Sequence, residues 1–137
     1  MREILFRGKS TDTGAWVYGY YCGSFGDFDE HEICDIADPT CSRIDVDPET
    51  VGQYTGLTDK NGKRIFEGDI LDVSGSFDAV LLGYRNGRAI VRWDEDVSGF
   101  EPFAYYDSDC GLYICEKECV AIGNIHDNPE LIGGKGE

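Results

Sequence analysis

Turn-forming residues recur roughly every eight to twelve positions along much of this chain, and that rhythm restricts it to short strands. Eighteen glycines, together with many β-branched and aromatic residues, interrupt every run able to sustain a 3.6-residue period. The strongest local signal is Asn86-Gly87, which favours positive φ in a two-residue turn and predicts a hairpin between residues 79–85 and 88–93. Residues 4–7 and 16–21, separated by Asp12-Thr13-Gly14, predict an opening hairpin in which Trp16, Tyr18 and Tyr20 share one face. A legible block follows at 50–73, with a turn at Asn61-Gly62 and a bend at Gly68-Asp69 before an alternating strand at 70–73. Shorter strands are expected at 103–106, 112–115 and 119–122. The expected fold class is all-β, a small barrel or sandwich with little helix.

A chain of 137 residues, 41% hydrophobic and 12% aromatic, has enough apolar surface for a packed core. One domain spanning 1–137 is the default. Residues 22–49 stand apart, with nine acidic side chains against Arg43 alone and breaks at Gly26, Pro39 and Pro48. They read as an acidic insertion or oligomerisation subdomain, with short strands near 31–35 and 42–46. The Gly-rich, charged tail at 133–137 reads as frayed.

The charge balance excludes some partners. Twenty-seven Asp and Glu oppose twelve Lys and Arg, a net charge of −15, which repels phosphate backbones and disfavours direct nucleic-acid binding. A partner with a basic face suits the same surface. Charges flank the short apolar run of residues 4–6, so no export signal is expected; the longest apolar run, residues 79–82, is too short for a membrane span. A cytoplasmic location follows, and with it the expectation that the six cysteines are free thiols.

Candidate chemistry is sparse. Cys110, Cys115, Cys119 and His126 are zinc-type ligands, but Cys110 and Cys115 lie five apart and would point to opposite faces of a strand. Cys34, Cys41 and His31 form a weaker set. Asp45, Asp47 and Glu49, and Asp94, Glu95 and Asp96, are dense enough for calcium but lack the loop pattern of a calcium site. Glu67 and Asp69 are a candidate carboxylate pair, although Asp69 after Gly68 is better suited to bonding the bend through its side chain. Lys60, Lys63 and Arg64 form a small basic group around a turn, best read as solvated surface. The expectation is a noncatalytic protein with no metal and no cofactor. Trp93, Phe100, Phe103, Tyr105 and Tyr106 flank an acidic loop, and Trp93, Tyr105 and Tyr106 are the candidates for a protein-binding groove.

Three blocks in order carry a resemblance. They are Ile4-Leu5-Phe6-Arg7-Gly8-Lys9 with Trp16-Val17-Tyr18-Gly19; residues 50–73, with Gly56-Leu57, Asp59, Asn61-Gly62 and Phe66-Glu67-Gly68-Asp69-Ile70; and Gly123-Asn124-Ile125 with Asp127-Asn128-Pro129-Glu130-Leu131. Together they resemble the YopX family of phage and prophage proteins. That resemblance implies a β-rich fold with an SH3-like barrel portion, a phage or prophage origin in a bacterial cytoplasm, and self-association. It supplies no catalytic residues. The function expected is therefore an accessory role through homo-oligomerisation and contacts with a host or phage protein. The alternative is an acidic inhibitor, or nucleic-acid mimic, directed at a basic host DNA- or RNA-binding protein.

Overall fold

The structure is a computed structural model that describes residues 3–23, 31–84, 86–104, 106–107 and 111–132, with the backbone alone at 106–107. The chain divides into two compact units, Met1–Gly56 and Leu57–Glu137. Both are mainly β, and the sheets are open rather than closed into a barrel.

The first unit is an antiparallel meander. Strands β1 (Phe6–Lys9), β2 (Trp16–Cys22), β3 (Glu32–Asp35), β4 (Arg43–Asp45) and β5 (Gly52–Thr58) follow the spatial order β4-β3-β2-β1-β5. The expected opening hairpin forms with Arg7 opposite Tyr18 and Gly8 opposite Val17. Its turn is held by Ser10, whose Oγ accepts the N–H groups of Asp12 and Thr13 at 3.1 and 3.2 Å. Trp16, Tyr18 and Tyr20 share a face as expected, and it is the outer one: Tyr20 is 59% exposed, while Val17 on the opposite face packs with Ile33 and Val46. Arg7 lies over the Trp16 ring at 4.6 Å, a cation–π contact. Strands β2 and β3 approach so closely that a Cβ on Gly19 would sit 1.8 Å from the Cys34 carbonyl oxygen, so only glycine fits.

The two strands expected inside the acidic segment are β3 and β4, and they extend this sheet. One cysteine expectation is corrected here, because Cys34 and Cys41 are joined by a disulfide. The turn between them explains the pairing. Asp38 accepts the Thr40 N–H at 2.9 Å and its hydroxyl at 2.7 Å, the Cys41 N–H donates to the Asp38 carbonyl, and the two Cα atoms end 5.2 Å apart. Cys22, Cys115 and Cys119 are free.

The second unit contains β6 (Arg64–Phe66), β7 (Asp69–Asp72), α1 (Phe77–Leu81), β8 (Arg88–Ile90), β9 (Arg92–Asp94), β10 (Gly99–Glu101), β11 (Tyr106–Asp107), β12 (Leu112–Tyr113) and β13 (Val120–Asn124). Within it, β13-β7-β8 form a three-stranded sheet, and β9–β10 and β11–β12 are two-stranded ribbons. Its core gathers Ile65, Leu71, Val73, Val91, Ile114 and Cys119, with Phe100 and Phe103 packed against it. A fully buried Leu or Ile of this kind contributes about 1.5–3 kcal/mol.

The hairpin expected across Asn86-Gly87 is corrected in its first arm. Residues 77–81 form α1, and β8 pairs instead with β7, Asp72 lying opposite Arg88. The cause is local: the Ser76 hydroxyl accepts the Ala79 N–H at 3.3 Å as an N-cap, and Asp78 adds a carboxylate to the first turn. Gly87 still has positive φ, and its N–H donates to the Tyr84 carbonyl. The tail at 133–137 lies outside the described residues.

Candidate functional site

In the second and third sequence blocks, several polar side chains prove to be builders of turns. Asp59 is 2% exposed. Its Oδ1 accepts the N–H groups of Asn61 and Lys63, and its Oδ2 accepts the Ala121 N–H, each at 2.9 Å. Burial pushes its carboxyl upward, but these three N–H donors and the nearby Lys63 outweigh that, leaving it below the ordinary 3.8. The carboxylate thus fastens the 59–63 turn to β13.

Asp69 is 3% exposed and accepts the Phe66 N–H at 2.8 Å, closing the bend as its sequence position suggested. Glu67 and Asp69 therefore give no pair of carboxylates free for acid–base work, since one is committed to the backbone. Directly opposite Asp69 on β13, Asn124 Oδ1 accepts the N–H groups of His126 and Asp127 at 3.0 and 2.9 Å, while Asn128 Oδ1 accepts the Asn124 N–H at 3.3 Å. Gly123 is required beside this network: a Cβ there would lie 2.6 Å from Asn128 Oδ1.

The metal candidates resolve in the same direction. Among the described residues no group of three or more His, Cys, Asp or Glu side chains converges as a metal site. Cys110 lies outside them. Cys119 is buried and donates to the Cys115 carbonyl at 3.4 Å; burial, with Cys115, Glu118, Glu116 and Asp72 around it, pushes its thiol up to about 12. A thiol held protonated in this way is a poor nucleophile. Cys34 and Cys41 are consumed by their disulfide, and His31 stacks on Tyr21, whose hydroxyl bonds its Nδ1. Of the calcium candidates, Asp47 caps a short 3-10 turn through the Glu49 N–H, and Asp94 accepts the Asp96 N–H at 2.9 Å. Lys60 and Lys63 sit on the turn organised by Asp59: the Lys63 N–H donates to the Asp59 carboxylate and the Lys60 N–H to the Cys119 carbonyl.

What remains is surface. In the β9–β10 hairpin, Trp93 stands opposite Phe100, the rings 5.1 Å apart and edge-on at 73°. Phe100 packs on the core, whereas Trp93 is 47% exposed. Arg92 stands directly opposite Glu101 on the same hairpin, and both line a concavity of about 280 Å³ with Tyr84, Ile90 and Arg88. Of the three groove candidates, Trp93 is exposed; Tyr105 lies outside the described residues, and Tyr106 is placed in β11 by its backbone alone.

Sequence reasoning missed a second apolar surface. Phe77, Val80 and Leu81 of α1 are 76%, 55% and 56% exposed, and Tyr113 of β12 is 52% exposed. The available signal was the Ser76 cap, which converts a strand-like Ala-Val-Leu-Leu run into a helical turn with large side chains outside. Among the described residues no helix is long and apolar enough to cross a membrane.

A crystal structure of protein EF1440 from Enterococcus faecalis is similar over 96% of this chain and 99% of that one, at 25% sequence identity and a TM-score of 0.54. No curated protein matches the chain. The family described as YopX protein matches residues 5–133, nearly the whole length of the chain, and the chain belongs to the YopX family.

Proposed function

We propose that this protein is a noncatalytic accessory protein of a phage or prophage, working in the bacterial cytoplasm through self-association and protein–protein contacts. The observation that carries this reading is the β9–β10 hairpin, which offers Trp93 to solvent with Arg92 and Glu101 opposed on the adjoining strands. An exposed Trp is a typical interface anchor. A contact between two copies related by a two-fold axis presents the same patch twice, so the Trp93 ring of one copy can pack against the same hairpin face of the other. Asp69, one of the candidate carboxylate pair Glu67 and Asp69, is bonded to the Phe66 N–H, which favours a binding role over an enzymatic one.

Sedimentation velocity across a wide concentration range tests the reading. Wild-type protein is expected to sediment as a concentration-dependent oligomer and Trp93→Ser as a monomer, with unchanged near-ultraviolet circular dichroism from the remaining aromatics. Wild-type protein that stays monomeric throughout, or a Trp93→Ser variant that associates as strongly as wild type, contradicts it.

A further inference from the structure

The exposed face of α1 is separate from the Trp93 hairpin, and its chemistry selects a different occupant. Phe77, Val80 and Leu81 are spaced i, i+3 and i+4, so they share one side of the helix, while Ala79 on the other side is fully buried. The helix therefore turns its larger apolar side chains outward. Clusters of this size that remain exposed mark interaction surfaces.

Beside this face, Phe77, Asp78, Tyr113, Cys115 and Glu118 line a concavity of about 310 Å³. Asp78 Oδ2 accepts the Tyr113 N–H at 3.2 Å, which fixes β12 against the helix and places two exposed aromatic side chains and two carboxylates around one space. No cation lines it. The neighbouring Lys117 is turned to Thr58, its Nζ donating to Oγ1 at 2.9 Å. The electrostatic environment is negative beyond the lining itself, since Glu116 and Asp72 also help to raise the Cys119 thiol.

We infer that the α1 face and the Phe77–Tyr113 concavity dock a segment of a partner protein in which a Lys or Arg side chain is flanked by apolar residues. The cation is held over the aromatic rings and between Asp78 and Glu118, and the flanking apolar residues cover Val80 and Leu81. Charge complementarity favours such a partner over a second copy, because a chain with net charge −15 brings mostly carboxylates to a rim that already carries them. This site goes beyond the self-association reading and does not depend on it.

The test uses the full chain and a fluorescein-labelled short peptide of alternating Leu and Lys, with binding followed by fluorescence anisotropy at physiological salt. Wild-type protein is expected to bind, Phe77→Ser to weaken binding by about tenfold, and Glu118→Gln by about threefold. Glu49→Gln in the first unit makes the same charge change and is expected to leave affinity within experimental error. Phe77 is mostly exposed, so its replacement leaves the core intact, and circular dichroism checks this. No binding by wild type overturns the proposal. So does equal weakening by Glu118→Gln and Glu49→Gln with no effect of Phe77→Ser, the signature of diffuse charge attraction. The same variants are examined by sedimentation velocity: Phe77→Ser is expected to leave the oligomer unchanged, and its conversion to monomer would assign this face to a second copy and overturn the inference. A Trp93→Ser variant that is monomeric from the start but binds the peptide normally keeps the two readings separate.

Discussion

The two units use acidic side chains in different ways. In the first, Asp38 is an exposed carboxylate that holds a surface turn, its pKa lowered to about 2 by the Ser42 and Thr40 side chains and backbone, and the strands on either side are joined by the Cys34–Cys41 disulfide. The aliphatic core there is small, centred on Val17, Ile33 and Val46. In the second, Asp59 and Asp69 lie inside the fold and take backbone N–H groups that strands and helices leave unpaired, around a broader core. An acidic composition read only as surface charge misses that second use. A buried carboxylate satisfied by several N–H donors is a structural pin, and its removal leaves those donors without partners.

The two tryptophans make the comparison measurable, since Trp16 belongs to the first unit and Trp93 to the second. Asp59→Ala has the largest expected effect, a loss of about 3 kcal/mol from the second unit, because three backbone donors to a charged acceptor lose it together. Urea unfolding followed by Trp93 fluorescence in a Trp16→Phe background measures it. Acid sharpens the same point. Folding lowers the Asp59 and Asp72 pKa values, so their contribution is complete above the ordinary 3.8 and is lost as pH falls through the lower folded-state values. The acid dependence of the second unit is expected to flatten in Asp59→Ala; an unchanged slope would break the assignment.

In the first unit the matching change is Cys41→Ser, expected to cost about 2 kcal/mol through the loss of a short covalent loop. Trp16 fluorescence in a Trp93→Phe background reads it, and a shift equal to that seen by Trp93 in the reciprocal background would show that the two units unfold as one. The smallest effect is Ser76→Ala, about 1 kcal/mol for a lost helix cap, seen as increased amide exchange at residues 77–81.

The strands were legible where a turn residue sat beside them: Asp12-Thr13-Gly14 and Asn61-Gly62 both mark turns the structure contains. Residues 79–82 misled because a four-residue apolar run has no period of its own, and the deciding group, the Ser76 hydroxyl, lies just outside the run. The role of Asp69 could be read from its position after Gly68, since its partner Phe66 is three residues away. That of Asp59 could not be read in full, because Ala121 lies 62 residues further on. Trp93 was identifiable as an aromatic beside an acidic loop. The α1 face was hidden by the strand assignment, and the Cys34–Cys41 pairing by an argument from cellular compartment that ignored the tight turn between them.

The central claim is that turn-holding residues build the scaffold while exposed aromatic and aliphatic side chains do the binding. Hydrogen–deuterium exchange, compared between dilute protein and protein concentrated enough to associate, tests it most directly. The account expects concentration-dependent protection at 92–101, around Trp93, with exchange at 59–69 and 123–128 unchanged. Protection that appears at 59–69 or 123–128 and spares 92–101 would contradict it.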